Sequence, residues 1–377
     1  MTPVRRILPL DGLRGAAVLY VVVFHLFLEI WPFWNGKVPS GVALYLFAPF
    51  SLGRFAVSLF VVLSGFCLAM QYPKYHGALQ YYKQRMVRLL PSYYVALIWA
   101  LLFALVIIPH KLQSNWDMCI PVTWQGLWTH VLGVHNFFST STIFNINHSL
   151  WCMAPILQLS FVFPLLYFCF RRWPRRTFAG LSILIGALLC WQNPLWDRIA
   201  SIQEYGMHLP TQVFVSLTSK SYQGFTLYLL LLLGIAIGDE HRCKRLQPLA
   251  WWFTLVGWGG LSLCTFWLRE NALLFSPELD VLAGMGSLGL MLLALREQGW
   301  VAKGLQQRWL LFIGKISYPL FLIHVPLISY LTYRLFAWGG LGDLAVLGVM
   351  STMGLALVVA VAWVFHCVIT SHRRVIP

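Results

Sequence analysis

Residues 11–26 read DGLRGAAVLYVVVFHL. From Gly15 to Phe24 every residue is apolar or small, which predicts a helix running through an apolar medium. The same segment carries Arg14 near one end and His25 eleven residues later. Eleven residues at 100° each end about 20° past three full turns, so the two share a face about 16 Å apart. Asp11 lies three residues before Arg14 and can pair with it, and Glu29 lies four past His25, within reach of it. One stripe therefore holds Asp11, Arg14, His25 and Glu29. Ionisable groups inside a span are costly and normally face a bundle interior or a wet cavity. A cation at the mouth and a base in the depth suit a ligand with an anionic head and a long reactive arm. A plainer reading makes Asp11 and Arg14 interfacial anchors and His25 a packed polar residue, which still demands a partner.

The rest of the chain fits a membrane. Of 377 residues 59% are hydrophobic and 10% charged, against about 25% charged in soluble domains; mean hydropathy is +0.71. Hydrophobicity never drops for long enough to give a soluble domain. Residues 1–377 therefore read as one all-α polytopic bundle. About ten stretches can span a bilayer, at roughly 12–31, 54–71, 88–109, 149–170, 177–192, 223–238, 248–268, 279–295, 312–333 and 342–369. With both termini cytoplasmic, 18 of the 27 Lys and Arg fall in cytoplasmic segments and 7 on the other side, while Arg14 and Lys315 lie just inside span ends. This bias accounts for the net charge of +15 without nucleic acid. It also places 110–148 and 193–222 outside, where WQGLWTHVLGV has the pattern of an interfacial amphipathic helix. Six of the eight cysteines (Cys67, Cys152, Cys169, Cys190, Cys264 and Cys367) lie in apolar segments, and no C-x-x-C pair occurs. Neither disulfides nor a metal centre is expected. The N-terminus has no cleavage-site pattern of a signal peptide.

A second cationic group stands in YYKQRMVRLLPSYY, where Arg85 and Arg88 are about one turn apart on a helix entering the third span. Paired guanidinium groups favour phosphate through bidentate hydrogen bonds; the alternative is an anchor to lipid headgroups.

Together these pieces resemble the acyltransferase-3 family of membrane acyltransferases over nearly the whole chain. LDGLRGAAVLYVVVFH resembles its first helix, with Arg, ten residues, then His. GRFAVSLFVVLSGFCLA (53–69), which holds Ser64, is similar to its second helix, and RMVRLLPSYY to its Arg-x-x-Arg loop. HSLWCMAPILQLSFVFPLL resembles the region of Ser-Leu-Trp followed by a proline, here Trp151 and Pro164. IGKISYPLFLIHVPLI looks like its Ser-Tyr-x-x-(Phe/Tyr)-Leu-x-His helix, ending in His324.

The resemblance implies transfer of an acyl group, commonly acetyl, from cytoplasmic acyl-CoA to a hydroxyl of a sugar or related acceptor. The host site would be the cell (inner) membrane, and the acceptor a surface polysaccharide or lipid-linked glycan. By motif match the catalytic role falls on His25, and Arg14, Arg85 and Arg88 would hold CoA. Two departures stand out. Many members carry a Glu five residues after the tryptophan, where this chain has Ile156, so Glu29 or no carboxylate would serve. Some members also carry a hydrolase-like domain, which these 377 residues lack. Histidine suits a general base near neutral pH, with Glu29 fixing its tautomer; an acyl-histidine intermediate is the alternative. Asp11, His148, Trp151, Tyr318, His324 and Ser64 are secondary candidates, each with a plain reading as a structural contact. The rival functions are acylation of a small hydroxylated metabolite, transport, or a non-catalytic scaffold. A transporter usually shows inverted repeats, and a scaffold has no need for Arg14 and His25 on one face.

Overall fold

A computed structural model of the chain describes residues 7–30, 53, 56–138, 140–173, 231–236, 238, 244–267, 277–296 and 298–373. Every regular element among them is helical. Six helices are long and apolar enough to cross a membrane: Leu8–Ile30, Ala56–Lys74, Ala78–Ile107, His148–Arg172, Arg308–Trp338 and Leu344–Ser371. They match six of the expected spans. The stretch 248–268 is helical from Gln247 to Trp267, and 279–295 overlaps the helix Pro277–Ala294. The expected span 177–192 and the loop 193–222 lie outside the described residues, as does most of 223–238. The third span starts ten residues earlier than hydropathy indicated, at Ala78. Its first turns are polar but contain no helix breaker, so the helix runs on past the apolar window and carries Arg85 and Arg88 itself.

Among the helices, α1 is Leu8–Ile30, α2 Ala56–Gln71, α3 Ala78–Leu102, α4 Trp124–Leu132, α5 Met153–Arg172, α6 Arg308–Trp338 and α7 Leu355–Arg373. The chain divides into two compact units. One comprises residues 1–10, 55–85 and 155–306. In it, Pro164 lacks the N–H that would bond four residues back, so Ser160 keeps a free carbonyl. The Tyr81 hydroxyl donates to it at 2.9 Å, and that of Tyr82 to the neighbouring Phe161 carbonyl at 2.7 Å.

The other unit comprises residues 11–54, 86–154 and 307–377. Its frame is the pair α1 and α6. Gly15 and Gly314 let the two backbones touch: a Cβ on Gly314 would fall 2.0 Å from the Asp11 carbonyl oxygen, and one on Gly15 2.4 Å from that of Leu310. Ten residues further along both helices His25 meets His324, and one turn beyond that Ser329 meets Glu29. The helices are therefore parallel.

A second proline device docks the segment 110–152 onto this frame. Pro326 frees the carbonyl of Leu322, which accepts from Asn147 Nδ2 at 3.2 Å, and Trp99 Nε1 donates to the neighbouring Ile323 carbonyl at 3.3 Å. Asn147 also caps the 3₁₀ turn His148–Cys152, its Oδ1 accepting from the Ser149 N–H at 3.0 Å. Within the segment, Asn145 Nδ2 donates to the carbonyls of Pro121 and Cys119. Thr123 caps α4, and Gly133 ends it at φ 66°. The Tyr93 and Tyr94 hydroxyls bond the last α4 carbonyls, those of His130 and Val131. Trp124 and Leu132 on α4 stay exposed, the face expected of an interfacial helix.

Candidate active site

The polar centre of the second unit is a cluster of imidazoles. His324 is fully buried, and its Nδ1 lies 2.8 Å from the Phe321 carbonyl and 3.1 Å from that of Leu320. A carbonyl only accepts, so Nδ1 carries the hydrogen and Nε2 is bare. That Nε2 stands 3.1 Å from His25 Nδ1, which also lies 2.9 Å from the Val21 carbonyl. Two acceptors thus face His25 Nδ1, so it too carries its hydrogen. The neutral His25 ring therefore keeps the lone pair of Nε2, which makes no hydrogen bond among the described residues. His148 completes the cluster, its ring centroid 5.4 Å from that of His25. Its backbone N–H donates to Cys119 Sγ at 3.3 Å, and its Nδ1 lies 3.5 Å from the same sulfur. His148 Nε2 is buried with no partner.

Glu29 is 1% exposed. The Ser114 and Ser329 hydroxyls and the Trp116 backbone N–H approach its carboxyl group, yet Oε1 has no partner. The expected Glu29–His25 hydrogen bond is not formed. Val21 and His324 take the Nδ1 hydrogen, and Glu29 lies instead against Ser114, Trp116 and Ser329.

At the other end of α1, Arg14 Nη1 and Asp11 Oδ1 form an ion pair at 3.1 Å. Tyr318, one turn past Gly314, donates to the Leu89 carbonyl at 3.0 Å. The exposed Arg88 beside Leu89 therefore stands within about a turn of the Arg14 level. Arg85 belongs to the first unit, where its Nε donates to Ser160 Oγ at 3.0 Å. Ser64 also lies in that unit and Trp151 in the turn His148–Cys152, both half-buried.

Outside the spans, His130 and His135 stack with centroids 3.9 Å apart and planes 6° apart. Burial, reinforced for His130 by its neighbour, holds both imidazoles well below their usual range, His135 at about 4. Burial pushes Asp117 up, against the N–H groups of Leu112 and Gln113 that hydrogen-bond it. Among the described residues no group of three His, Cys, Asp or Glu side chains is arranged to hold a metal ion.

The acyltransferase domain family matches residues 7–368. The chain belongs to the acyltransferase-3 family. O-acetyltransferase OatA of Staphylococcus aureus strain NCTC 8325 / PS 47 is 24% identical to this acyltransferase-3 chain over 368 residues, 86% of the chain and 51% of that protein. Peptidoglycan O-acetyltransferase OatA of Listeria monocytogenes serovar 1/2a is 23% identical over 339 residues, 86% of the chain and 49% of that protein. The chain spans about half the length of the curated relatives it matches. No solved structure gives a significant match.

Sequence reading named His25, His148 and His324 separately, and the fold joins them. It missed Cys119 and Asn147. Asn147 had a signal: a proline inside a span frees the carbonyl four residues earlier, which calls for an outside donor. Cys119 had none, because a lone cysteine in a loop reads as any small residue.

Proposed function

We propose that the chain is a membrane O-acetyltransferase. It takes acetyl from acyl-CoA at the cytoplasmic side and passes it to a hydroxyl of a surface polysaccharide or lipid-linked glycan. The observation carrying this reading is the tautomer of His25. Val21 and His324 hold Nδ1–H and leave Nε2 as a base about three helical turns from Arg14. In the reaction the acceptor hydroxyl gives its proton to Nε2 as its oxygen attacks the thioester carbonyl. The C–S bond breaks, the acetyl ester forms, and the leaving thiolate takes the proton back from the imidazolium. Arg14 and Arg88 supply guanidinium forks for the CoA phosphates, with Arg85 on the same helix. Asp11 orients Arg14 through their ion pair. The family membership and the names of the relatives support this reading.

The test is acetyl transfer by the purified full-length chain in proteoliposomes, given labelled acetyl-CoA and envelope glycans from a strain lacking the gene. Base-labile label in the glycan fraction, with matching O-acetyl mass increments, is expected. Label that stays with acetyl-CoA, or moves only into small molecules of a cytosolic extract, would overturn the glycan assignment.

A further inference from the structure

Glu29 is unused by this mechanism, and three observations give it a task. First, it is an acidic side chain inside a span, 1% exposed, with Oε1 unpartnered. Leaving a buried polar atom unsatisfied is costly. Second, it sits one turn past His25 on the same face of α1. Helical side chains lean toward the N-terminus, so its carboxyl group covers the turn that bears His25. Third, other unsatisfied atoms belong to the same two helices and the turn packed on them. Thr332 Oγ1, one turn beyond Ser329 on α6, is buried without a partner, as is Nε2 of His148. His25 Nε2, His148 Nε2, Glu29 Oε1 and Thr332 Oγ1 thus all come from α1, α6 and the turn packed on them. A purely apolar occupant would leave all four unmet.

We infer that Glu29 is the acceptor-selecting residue: it accepts a hydrogen bond from a second hydroxyl of the acceptor, on the carbon next to the one that His25 deprotonates. The substrate class this selects is a polyol with neighbouring hydroxyls, as distinct from an isolated alcohol. Ser114, Trp116 and Ser329 lie against the carboxyl group, and Oε1 is the oxygen left without a partner. Thr332 and His148 Nε2 offer contacts to further hydroxyls. The inference rests on the acyl-transfer reading above.

The probes are four small alcohols that differ in this feature: ethylene glycol and glycerol against ethanol and 1-propanol. Transfer of labelled acetyl from acetyl-CoA is followed with the full-length protein in detergent. The wild type should prefer the two vicinal diols by about ten- to a hundredfold in kcat/KM, the worth of one hydrogen bond to a charged group. Glu29→Ala should bring that preference near one while the rate with ethanol changes little. Glu29→Gln, which keeps an amide oxygen as acceptor and the shape of the side chain, should retain part of it and covers the case in which the alanine variant does not fold. Thr332→Val should keep the preference for ethylene glycol. A wild type that does not distinguish diols from simple alcohols, or a Glu29→Gln variant that loses ethanol and diol transfer in equal proportion, overturns the inference and leaves the acyl-transfer reading standing. Transfer to none of the four by protein that acetylates the envelope glycans overturns the inference alone, and transfer to neither the alcohols nor the glycans overturns both.

Discussion

Gly314→Ala tests whether α1 and α6 form one rigid frame. A Cβ there falls 2.0 Å from the Asp11 carbonyl oxygen and 2.8 Å from its carbon, where ordinary contact begins at 3.4 Å. The helices must separate by about 1.4 Å at the crossing, because both obstacles are backbone and cannot rotate away. Overpacking of this kind costs about 1–3 kcal/mol. The displacement falls at the Arg14–Asp11 level, ten residues from the histidines, so donor binding should suffer first. A misplacement near 1 Å can cost about a hundredfold in rate. The assay pairs a thermal melt in detergent with acetyl-transfer kinetics. A lower Tm, a severalfold higher KM for acetyl-CoA and a reduced kcat/KM are expected. Gly348→Ala is the control: nothing lies within 4 Å of its Cβ and it sits in the helix Asp343–Val349, so stability should hold or rise by about 0.5–1 kcal/mol. If Gly314→Ala melted and turned over like the wild type, the close crossing of α1 and α6 would be wrong.

Four further outcomes are expected. Arg14→Ala and Arg88→Ala should chiefly raise the KM for acetyl-CoA, with lysine rescuing only partly because the fork is lost; normal donor binding with poor membrane insertion would favour the anchor reading. His324→Leu should slow transfer about tenfold without abolishing it, since the Val21 carbonyl still holds His25 Nδ1–H; kinetics of the folded variant check this. His130 and His135 are buried neutral, so unfolding takes up protons below the ordinary imidazole range, and the segment loses stability as pH falls from about 6.5 towards 4. For His135 alone this reaches about 2 kcal/mol at pH 5, read as faster amide hydrogen exchange over 124–137 at pH 5 than at pH 7.5 after correction for intrinsic rates. In sealed vesicles of known orientation, donor on one side and impermeant acceptor on the other should give product, and product only with both on the same side would point to a cytoplasmic acceptor.

The spans were legible because a bilayer imposes one simple demand, a run of apolar residues of the right length. The Arg14–His25 face was legible because both residues lie on one helix, where spacing alone fixes geometry. What joins His25 to His324 was not, since 299 residues separate them and only the α1–α6 contact brings them level. The role that spacing suggests for Glu29, fixing the His25 tautomer, fails for a related reason. Helical spacing shows which groups can meet, but the i−4 carbonyl of Val21 and a histidine from another helix compete for the same nitrogen. The loop 110–152 reads as a polar connector, yet its Asn147 satisfies a carbonyl freed by Pro326, and the carbonyls near its own α4 end accept from Tyr93 and Tyr94 of α3.

The central claim is that His25 Nε2 is the base for acyl transfer, and the turnover of His25→Ala measures it most directly. The purified variant, with a wild-type melting profile and undiminished acetyl-CoA binding, should transfer acetyl to the acceptor about a hundred- to ten-thousandfold more slowly. Retention of more than about a tenth of wild-type turnover by such a folded, donor-binding protein falls outside that range and would contradict the account.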